Sequence, residues 1–536
     1  MFPPHGLLAG EPAPSAQVLL DWCAENDIEV SPALSIEERH GGWGLVAKEQ
    51  LELGAVLCKL PKTSILSIRN SSLPELPLDT RPGTSYTILG LTLALLHEFR
   101  LGRESKFFGY LQSLSRETVP IPTLWPLIEG TEKADAEEAL AWLRGTDAER
   151  DLRRRDKEGL SLPALREFYD ATKSRLPATK AHPDPSPFAA FAYTFSLVST
   201  RAFLIDLYHT VALCPFADVA NHSSAPHTSL ASDDFVCHRC GSLARCVHDV
   251  PHPQTGIVER LAHLDPNARQ TIGKGRDTVD MYVEWPLRKG QEVFNSYGEN
   301  IPDSRLLVEW GFVPGAFPDA SPVAESGSEG SAREDELLVE GVTWTLAELC
   351  PDIVAEAWDK MQEDVELAYA SRFEPSEGSL LCASSPKPIH HINAGGQASL
   401  RLWGPVWLDA LREVRKRRKK KARSKTPSVS LDEATGEAPK DVELLLQDVR
   451  QLEDVWEKQE GTLSAANARA ARTMGKLLAR RLVGMRKPQL GVGELYDLRE
   501  EATGLTAMAL TVVTDEVALL ESTLARWEEL AATAEA

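Results

Sequence analysis

Apolar residues recur at helical spacing between Ala16 and Asn26, through Val18, Leu19, Trp22 and Cys23, and the polar stretch after them ends at Ser31-Pro32. Strand-length apolar runs follow at Leu45-Val46 and Ala55 to Leu60, separated by Glu52-Leu53-Gly54 and closed by Pro61, so 34–68 reads as short strands and turns. Helical periodicity returns over Thr84 to Leu101, Phe107 to Leu114, Ala134 to Leu143 and Leu162 to Ser174, a block assigned to 84–180. A second β-rich part is expected from near Phe195 to Val313, with a short strand at Gln291 to Phe294. Residues 318–342, rich in Ser, Gly, Ala and acids, read as a linker. From Thr343 onward the pattern is helical: Leu346 to Tyr369, Ala398 to Lys421, Val442 to Gln459, Thr462 to Met485 and Ala507 to Ala532. The expected class is α+β, a split β-rich domain over 34–317 behind a leading helix in 1–33, then an all-α domain over 343–536.

A chain of 536 residues exceeds one ordinary core, and 43% hydrophobic with 26% charged content is that of a globular protein. Net charge of −21 repels nucleic acid and anionic membrane and favours a basic partner, except where charge is locally reversed. One reversal occurs: Arg412 to Lys425 carries ten basic side chains against one acid, followed by Thr426-Pro427-Ser428. A solvated linker and a nuclear-localisation signal both fit it, with nucleic-acid contact behind them; the polar interruption extends to 439. No apolar run approaches the roughly 18 residues of a membrane span. The first thirty residues carry Asp21, Glu25 and Asp27 and no basic leader, so a secretory signal is not expected. Eight scattered cysteines then suit a reducing compartment, nucleus or cytoplasm.

Three segments could carry chemistry. Gly42-Trp43-Gly44-Leu45-Val46-Ala47 has the letters of the G-x-G-x-x-A dinucleotide fingerprint but lacks an apolar strand before it, so it reads as a glycine bend or tight turn. Asp218-Val219-Ala220-Asn221-His222 follows an apolar stretch and is, alone, a capping or turn cluster. Gly290 to Gly298 is a turn, a short strand and a tyrosine before glycine. A fourth segment, Cys237-x-x-Cys240-Gly241 with Cys246 and His248, holds half of a zinc-knuckle signal. His238 and His252 compete as ligands, and reduced cysteines in a surface insert are the alternative.

In order and together, these segments resemble the SET-domain protein lysine methyltransferases, most closely the branch of the Rubisco large-subunit methyltransferase and the fungal ribosomal-protein lysine methyltransferases. The resemblance rests on GWGLVAKEQLELG from Gly42, on Arg201-Ala202-Phe203 after Ser-Leu-Val-Ser-Thr, and on Ala217 to Ser223. It extends through Gly290 to Gly298 and on to Leu306-Leu307-Val308-Glu309-Trp310-Gly311-Phe312. It implies a SET domain split by a helical insert and followed by a helical substrate-binding domain. S-adenosylmethionine would be the methyl donor, and a protein, ribosomal rather than histone, the acceptor.

Carried over, the resemblance implies that the backbone at Trp43, Gly44 and Leu45 contacts the donor and that Arg201 faces its carboxylate. Asn221 and His222 would hold the donor, Asp218 would support their turn, and Tyr297 would be the catalytic tyrosine. No metal is assigned to this site. The sequence departs from the family where a tyrosine is expected before Gly-Phe and Trp310 stands, and around Pro302-Asp303-Ser304, where an asparagine is usual. A SET-type enzyme for another side chain, such as histidine, and an inactive SET-like scaffold are the alternatives.

Overall fold

The computed structural model describes residues 7–8, 11–39, 41–74, 85–128, 130–180, 182–298, 301–314, 340–373, 379–382, 389–423, 438–458, 461–485 and 487–533. Most of the 318–342 linker, the Thr426-Pro427-Ser428 run and most of the polar stretch to 439 lie outside the described residues. The chain divides into two compact units. The first takes Met1–Glu137, Asp151–Glu299 and Arg305–Pro322, the second Glu138–Arg150, Asn300–Ser304 and Val323–Ala536. The block expected as one insert over 84–180 is therefore shared, its residues 138–150 going to the second unit.

The first unit is built on three small sheets. β1 (Glu29–Val30), β4 (Val56–Pro61), β9 (Thr278–Val283) and β8 (Thr228–Ser232) lie in that order, all antiparallel. β9 shows the period of two that a half-buried strand requires, with Val279, Met281 and Val283 inward. β10 (Glu292–Val293), β3 (Gly42–Ala47) and β2 (Leu34–Arg39) form the second sheet, and β5 (Leu66–Ser67), β7 (Val211–Leu213) and β6 (Ala202–Leu204) the third. The G-x-G-x-x-A letters thus lie within strand β3, with no helix opening at Ala47.

Helix Phe188–Arg201 corrects the expected start of the second β-rich part near Phe195. Its Ser-Leu-Val-Ser-Thr end has β-branched residues, but aromatic packing overrides local preference. Phe191 stacks on Tyr169 at 4.9 Å and Tyr193 meets Phe99 at 5.7 Å, with Phe191, Phe195 and Leu197 fully buried. Helices Ser85–Leu101, Phe108–Ser113, Lys133–Trp142 and Leu162–Thr172 occupy the stretches where periodicity placed them. Asp147–Lys157 is an added helix, too charged to show an apolar stripe. Its acids Asp147 and Glu149 sit in the first turn and Arg154, Arg155 and Lys157 in the last, as the helix dipole favours.

The second unit is helical but also carries a four-stranded sheet that apolar periodicity did not reveal. It runs β11 (Glu340–Trp344), β13 (His390–Asn393), β14 (Ala398–Ser399), β12 (Leu381–Cys382). The expected helix over Leu346 to Tyr369 is three: Leu346–Leu349, Asp352–Asp359 and Gln362–Ala370, the first break falling at Pro351, which has no amide to donate. Leu400–Arg423, Ala438–Lys458, Ala465–Val483, Val492–Glu501 and Gly504–Thr533 complete it. Arg417 to Lys420 of the basic run project from the end of the first of these, exposed. No helix among the described residues is long and apolar enough to cross a membrane.

One buried charge cluster ties the helical unit together. Arg481 pairs with Glu516 at 3.0 Å and with Asp147, whose other oxygen accepts from the Thr343 amide and hydroxyl, both at 2.7 Å. Breaking a buried pair by removing one partner costs about 3 to 5 kcal/mol. Arg481→Leu should lower the stability of this unit by that amount in urea unfolding, and adding Asp147→Asn with Glu516→Gln should restore most of it. A loss under about 1 kcal/mol would mean that the carboxylates need no shared cation.

Candidate active site

The site begins where β10 stops. β10 pairs with Leu45 and Val46 only, so beyond them the backbone of β3 is met by a side chain instead of a strand. The Asn221 amide donates to the Trp43 carbonyl at 3.2 Å and to Glu292 Oε1 at 2.8 Å. This explains Gly44: a Cβ there would lie 2.6 Å from Glu292 Oε1 and 3.1 Å from Asn221 Nδ2. A Cβ at Gly42 would meet only the Arg39 carbonyl oxygen, at an ordinary 3.9 Å. Leu45, grouped with Trp43 and Gly44 as a cofactor contact, is fully buried, and both its backbone edges are taken by β2 and β10. It packs in the core, and exposure along β3 is confined to Gly42 and, in part, Trp43, with Gly44 buried beside them.

The turn before Asn221 is strained and charged. Phe216 holds φ of +74°, a left-handed conformation costly for a bulky residue, and opens a short 3-10 turn over Ala217–Val219. Asp218 in that turn is buried and accepts from the Tyr110 hydroxyl at 2.7 Å. Arg201, the last residue of its helix, donates through Nη1 to the Asp218 carbonyl at 3.0 Å and lies 3.5 Å from its carboxylate. Burial pushes the Asp218 carboxyl up, opposed by Arg201 and the Tyr110 hydroxyl. Burial works against the Arg201 charge, but Asp218, with Tyr110 and Tyr297, together more than offset this and its pKa is raised. The guanidinium expected to face a carboxylate therefore faces Asp218, while the Arg201 side chain as a whole keeps 30% of its surface exposed.

After the turn, the chain runs parallel to the segment that follows β10. The Asn295 amide donates to the Asn221 carbonyl at 2.8 Å, and the Ser223 amide to the Asn295 carbonyl at 3.1 Å. This two-residue parallel pairing places Tyr297 against His222. The Tyr297 amide donates to His222 Nδ1 at 3.1 Å, so Nδ1 carries no proton. Burial lowers the His222 pKa to about 4, and the ring is neutral at pH 7. The Tyr297 ring lies 5.1 Å from His222 and stacks on Trp310 at 5.5 Å, with Phe312 edge-on at 6.5 Å. Its hydroxyl donates to the Ala220 carbonyl at 3.3 Å, and burial raises its pKa to about 12, against the Arg201 charge.

Trp310 and Phe312 flank Gly311, which ends a π-type turn at φ +78°. A Cβ at Gly311 would also press on Val119 and the Ile121 amide at 3.0 to 3.1 Å. Trp43, Gly44, Asn221, His222 and Tyr297 thus adjoin Arg201 and Asp218 as one site. Tyr110, Glu292 and Phe312 also contribute and had no role in the sequence reading. Glu292 and Phe312 stood inside the quoted motifs, while Tyr110, far from both motifs, gave no signal. Cys237, Cys240, Cys246 and His248 belong to a different segment, between β8 and β9.

No protein-family profile matches the chain. It is 26% identical over 330 residues to "Ribosomal lysine N-methyltransferase 3" of Saccharomyces cerevisiae, covering 51% of this chain and 57% of that protein. It is 25% identical over 357 residues to "N-lysine methyltransferase SETD6" of Mus musculus, covering 64% and 65%. The chain therefore spans about 57% to 65% of the length of these relatives. Among solved structures, the SET domain of LSMT bound to lysine and AdoHcy aligns with a TM-score of 0.51 at 16% identity, over 96% of this chain and 90% of that one. Rubisco LSMT bound to AdoMet aligns at 0.50 and 16%, over 96% and 92%. This is a SET-domain fold of the Rubisco large-subunit methyltransferase type. Within that SET fold, the parallel pairing at Asn221 and Asn295 joins two of the sequence blocks on which the resemblance rested.

A pH dependence follows from His222. Its pKa falls from the ordinary 6.5 to about 4 on folding, so between those values the unfolded chain binds a proton that the folded SET domain does not. Stability must drop as pH falls through that window. His222→Asn removes this contribution, so the stability advantage of the parent protein should shrink on acidification, by at most about 1.4 kcal/mol per pH unit. Urea unfolding from pH 7 to 4.5 checks this; a gap independent of pH would show that the ring is not held neutral.

Proposed function

We propose that this site binds S-adenosylmethionine and methylates a lysine side chain of a basic, non-histone protein, with ribosomal proteins the preferred class. The observation that carries the proposal is Tyr297: a neutral phenol held between His222 and Trp310, its oxygen beside the Ala220 carbonyl and close to Arg201.

The residues present fit such a cofactor. Arg201 offers a partly exposed side chain for a carboxylate, Gly42 and Trp43 leave the start of β3 partly exposed, and the aromatic walls with Glu292 suit a cation. When bound, the cofactor supplies an electrophilic methyl group on a positively charged sulfur. In-line transfer is limited by alignment, so the chain's main work is positioning. The oxygens of Tyr297 and Ala220 can hold a polarised methyl by C–H···O contacts, each a small contribution. With a pKa near 12, Tyr297 stays protonated at neutral pH and is not the base. A lysine must reach the site uncharged, and the half-buried rings of Tyr297, Trp310 and Phe312 disfavour its ammonium form by desolvation.

The named likeness to a ribosomal lysine methyltransferase supports the substrate class, and so does the net charge of −21, which steers basic partners inward. The exposed residues Arg417 to Lys420 on helix Leu400–Arg423 support work in the nucleus or cytoplasm. The test is calorimetry with S-adenosylmethionine alongside radiolabelled methyl transfer to ribosomal subunits. Tyr297→Phe should retain cofactor affinity within about threefold and lose at least about tenfold in transfer rate, roughly 1.4 kcal/mol of transition-state stabilisation. No cofactor binding at millimolar concentration would leave a SET-like scaffold, and label recovered on histidine would reassign the acceptor.

A further inference from the structure

Residues 233–277, between β8 and β9, have little to hold them together. They contain a 3-10 turn at Glu259–Leu261, the short helix Pro266–Thr271 and one isolated bridge between Pro251 and Val258. Their buried apolar side chains are few, chiefly Val236, Leu243, Val258 and Leu261, while Val247 and Val250 stand exposed. The base of the segment is pinned. Lys62, itself buried, pairs with Asp206 and Asp277 at 2.9 Å each and donates to the Asp233 carbonyl at 2.9 Å. Beyond that base, a stretch with so small a core ordinarily needs a covalent or metal cross-link.

The cysteines of this segment are not paired as disulfides. Cys237, Cys240, Cys246 and His248 instead converge, with one ligand atom from each lying within 4.8 Å of the others. His248 Nδ1 is 3.8 Å from both Cys237 Sγ and Cys246 Sγ. A tetrahedral zinc ion with bonds of about 2.3 Å to sulfur and about 2.0 Å to nitrogen would put its ligands roughly 3.5 to 3.8 Å apart. His238 and His252, the competing ligands in the sequence, are not in the group.

Both ligand-bearing turns are oriented by the protein. In Cys237-x-x-Cys240-Gly241, the Gly241 amide donates to the Cys237 carbonyl at 2.8 Å and the Cys237 amide to the Ser242 carbonyl at 3.0 Å. Gly241 takes φ of +70°, and a Cβ there would strike the Tyr208 ring at 2.7 Å. The second turn is closed by Asp249, which accepts from the Cys246 amide at 2.7 Å. Arg260 clasps Asp249 through both carboxylate oxygens at 2.8 Å and donates to the carbonyls of Phe235, Leu243 and Ala244, so one guanidinium holds the two turns together.

We propose that Cys237, Cys240, Cys246 and His248 bind one structural zinc ion that cross-links this segment. Four protein ligands leave no open position, and three thiolates with an imidazole are the donor set of a closed structural site. Binding releases the thiol protons to solvent and forms four metal–ligand bonds without redox change. The proposal is independent of the methyl-transfer reading.

The full chain, expressed with zinc in the medium and purified without chelator, should carry about one zinc per chain by plasma mass spectrometry. Mercurial titration of the thiols should release it in step. Cys237→Ser with Cys246→Ser should drop zinc below about 0.2 per chain and open protease sites between 234 and 276. Zinc below about 0.2 per chain in the parent protein, stoichiometric iron in its place, a disulfide among these cysteines, or unchanged zinc in the double variant would each overturn the proposal. The metal content and thiol titration of the parent protein decide the matter even if the double variant does not fold.

Discussion

The active-site region depends on a backbone pairing only two residues long. Asn221 and Ser223 exchange hydrogen bonds with Asn295, and through that exchange Tyr297 comes to lie against His222. Two such bonds are worth only about 1 kcal/mol each, less than the entropy of closing the chain between the segments. The pairing must therefore be held from its flanks. On one side β10 enters the ladder with β3, and on the other the amides of His227 and Thr228 donate to the Phe294 carbonyl, continuing the alignment into β8. The Asn221 side chain adds the lateral tie to Trp43 and Glu292. The geometry of Tyr297 is thus a product of two sheets, β10-β3-β2 and β1-β4-β9-β8, meeting at one asparagine.

The second constraint is electrostatic. Asp218 is buried, and its negative charge is tolerable only because Arg201 and Tyr110 face it. Arg201 in turn sits where a helix ends, so its charge also answers the carbonyls of that last turn. This couples the stability of the Asp218 turn to the one cation available to an anionic ligand among the site residues. The guanidinium can serve both because its donors form a planar fork, with Nη1 committed to Asp218 and the remainder partly exposed. A lysine, with a single ammonium, could not divide itself in the same way.

Much of this was legible in the sequence, and the misses have physical causes. The blocks around Gly42, Asn221 and Tyr297 were read as one site because their order matches a family, yet the reason for Gly44 was not visible. That reason is the approach of Glu292 and Asn221, residues remote in sequence. Tyr110 lies in a helix whose pattern announces only burial, and nothing local marks its hydroxyl for Asp218. Helix Phe188–Arg201 looked strand-like toward its end because it is buried on several faces, which erases the amphipathic period. The strands β12 and β14, two residues each, are too short to carry any period at all. The Cys237 cluster was half visible: spacing offered six candidate ligands, and only folding selected His248 over His238 and His252.

Trp310 shows how one departure from a family pattern changes what a pocket can offer. Where the family it resembles is expected to have a second phenol, this chain places an indole stacked on Tyr297 at 5.5 Å. An indole has a single N–H donor and no acceptor oxygen, so it cannot take a hydrogen bond from an amine. It does present the aromatic face most attractive to a cation. Under the proposed activity, the Tyr297 and Ala220 oxygens are then left to hold the methyl, while the wall at Trp310 engages the acceptor through its face. That attraction partly offsets the desolvation by which the same rings disfavour an ammonium, so the balance between the two sets how readily the acceptor reaches the site uncharged. Under that same proposal the indole, with no oxygen of its own, leaves the incoming nitrogen to be oriented by the shape and desolvation of the pocket rather than by a second hydroxyl.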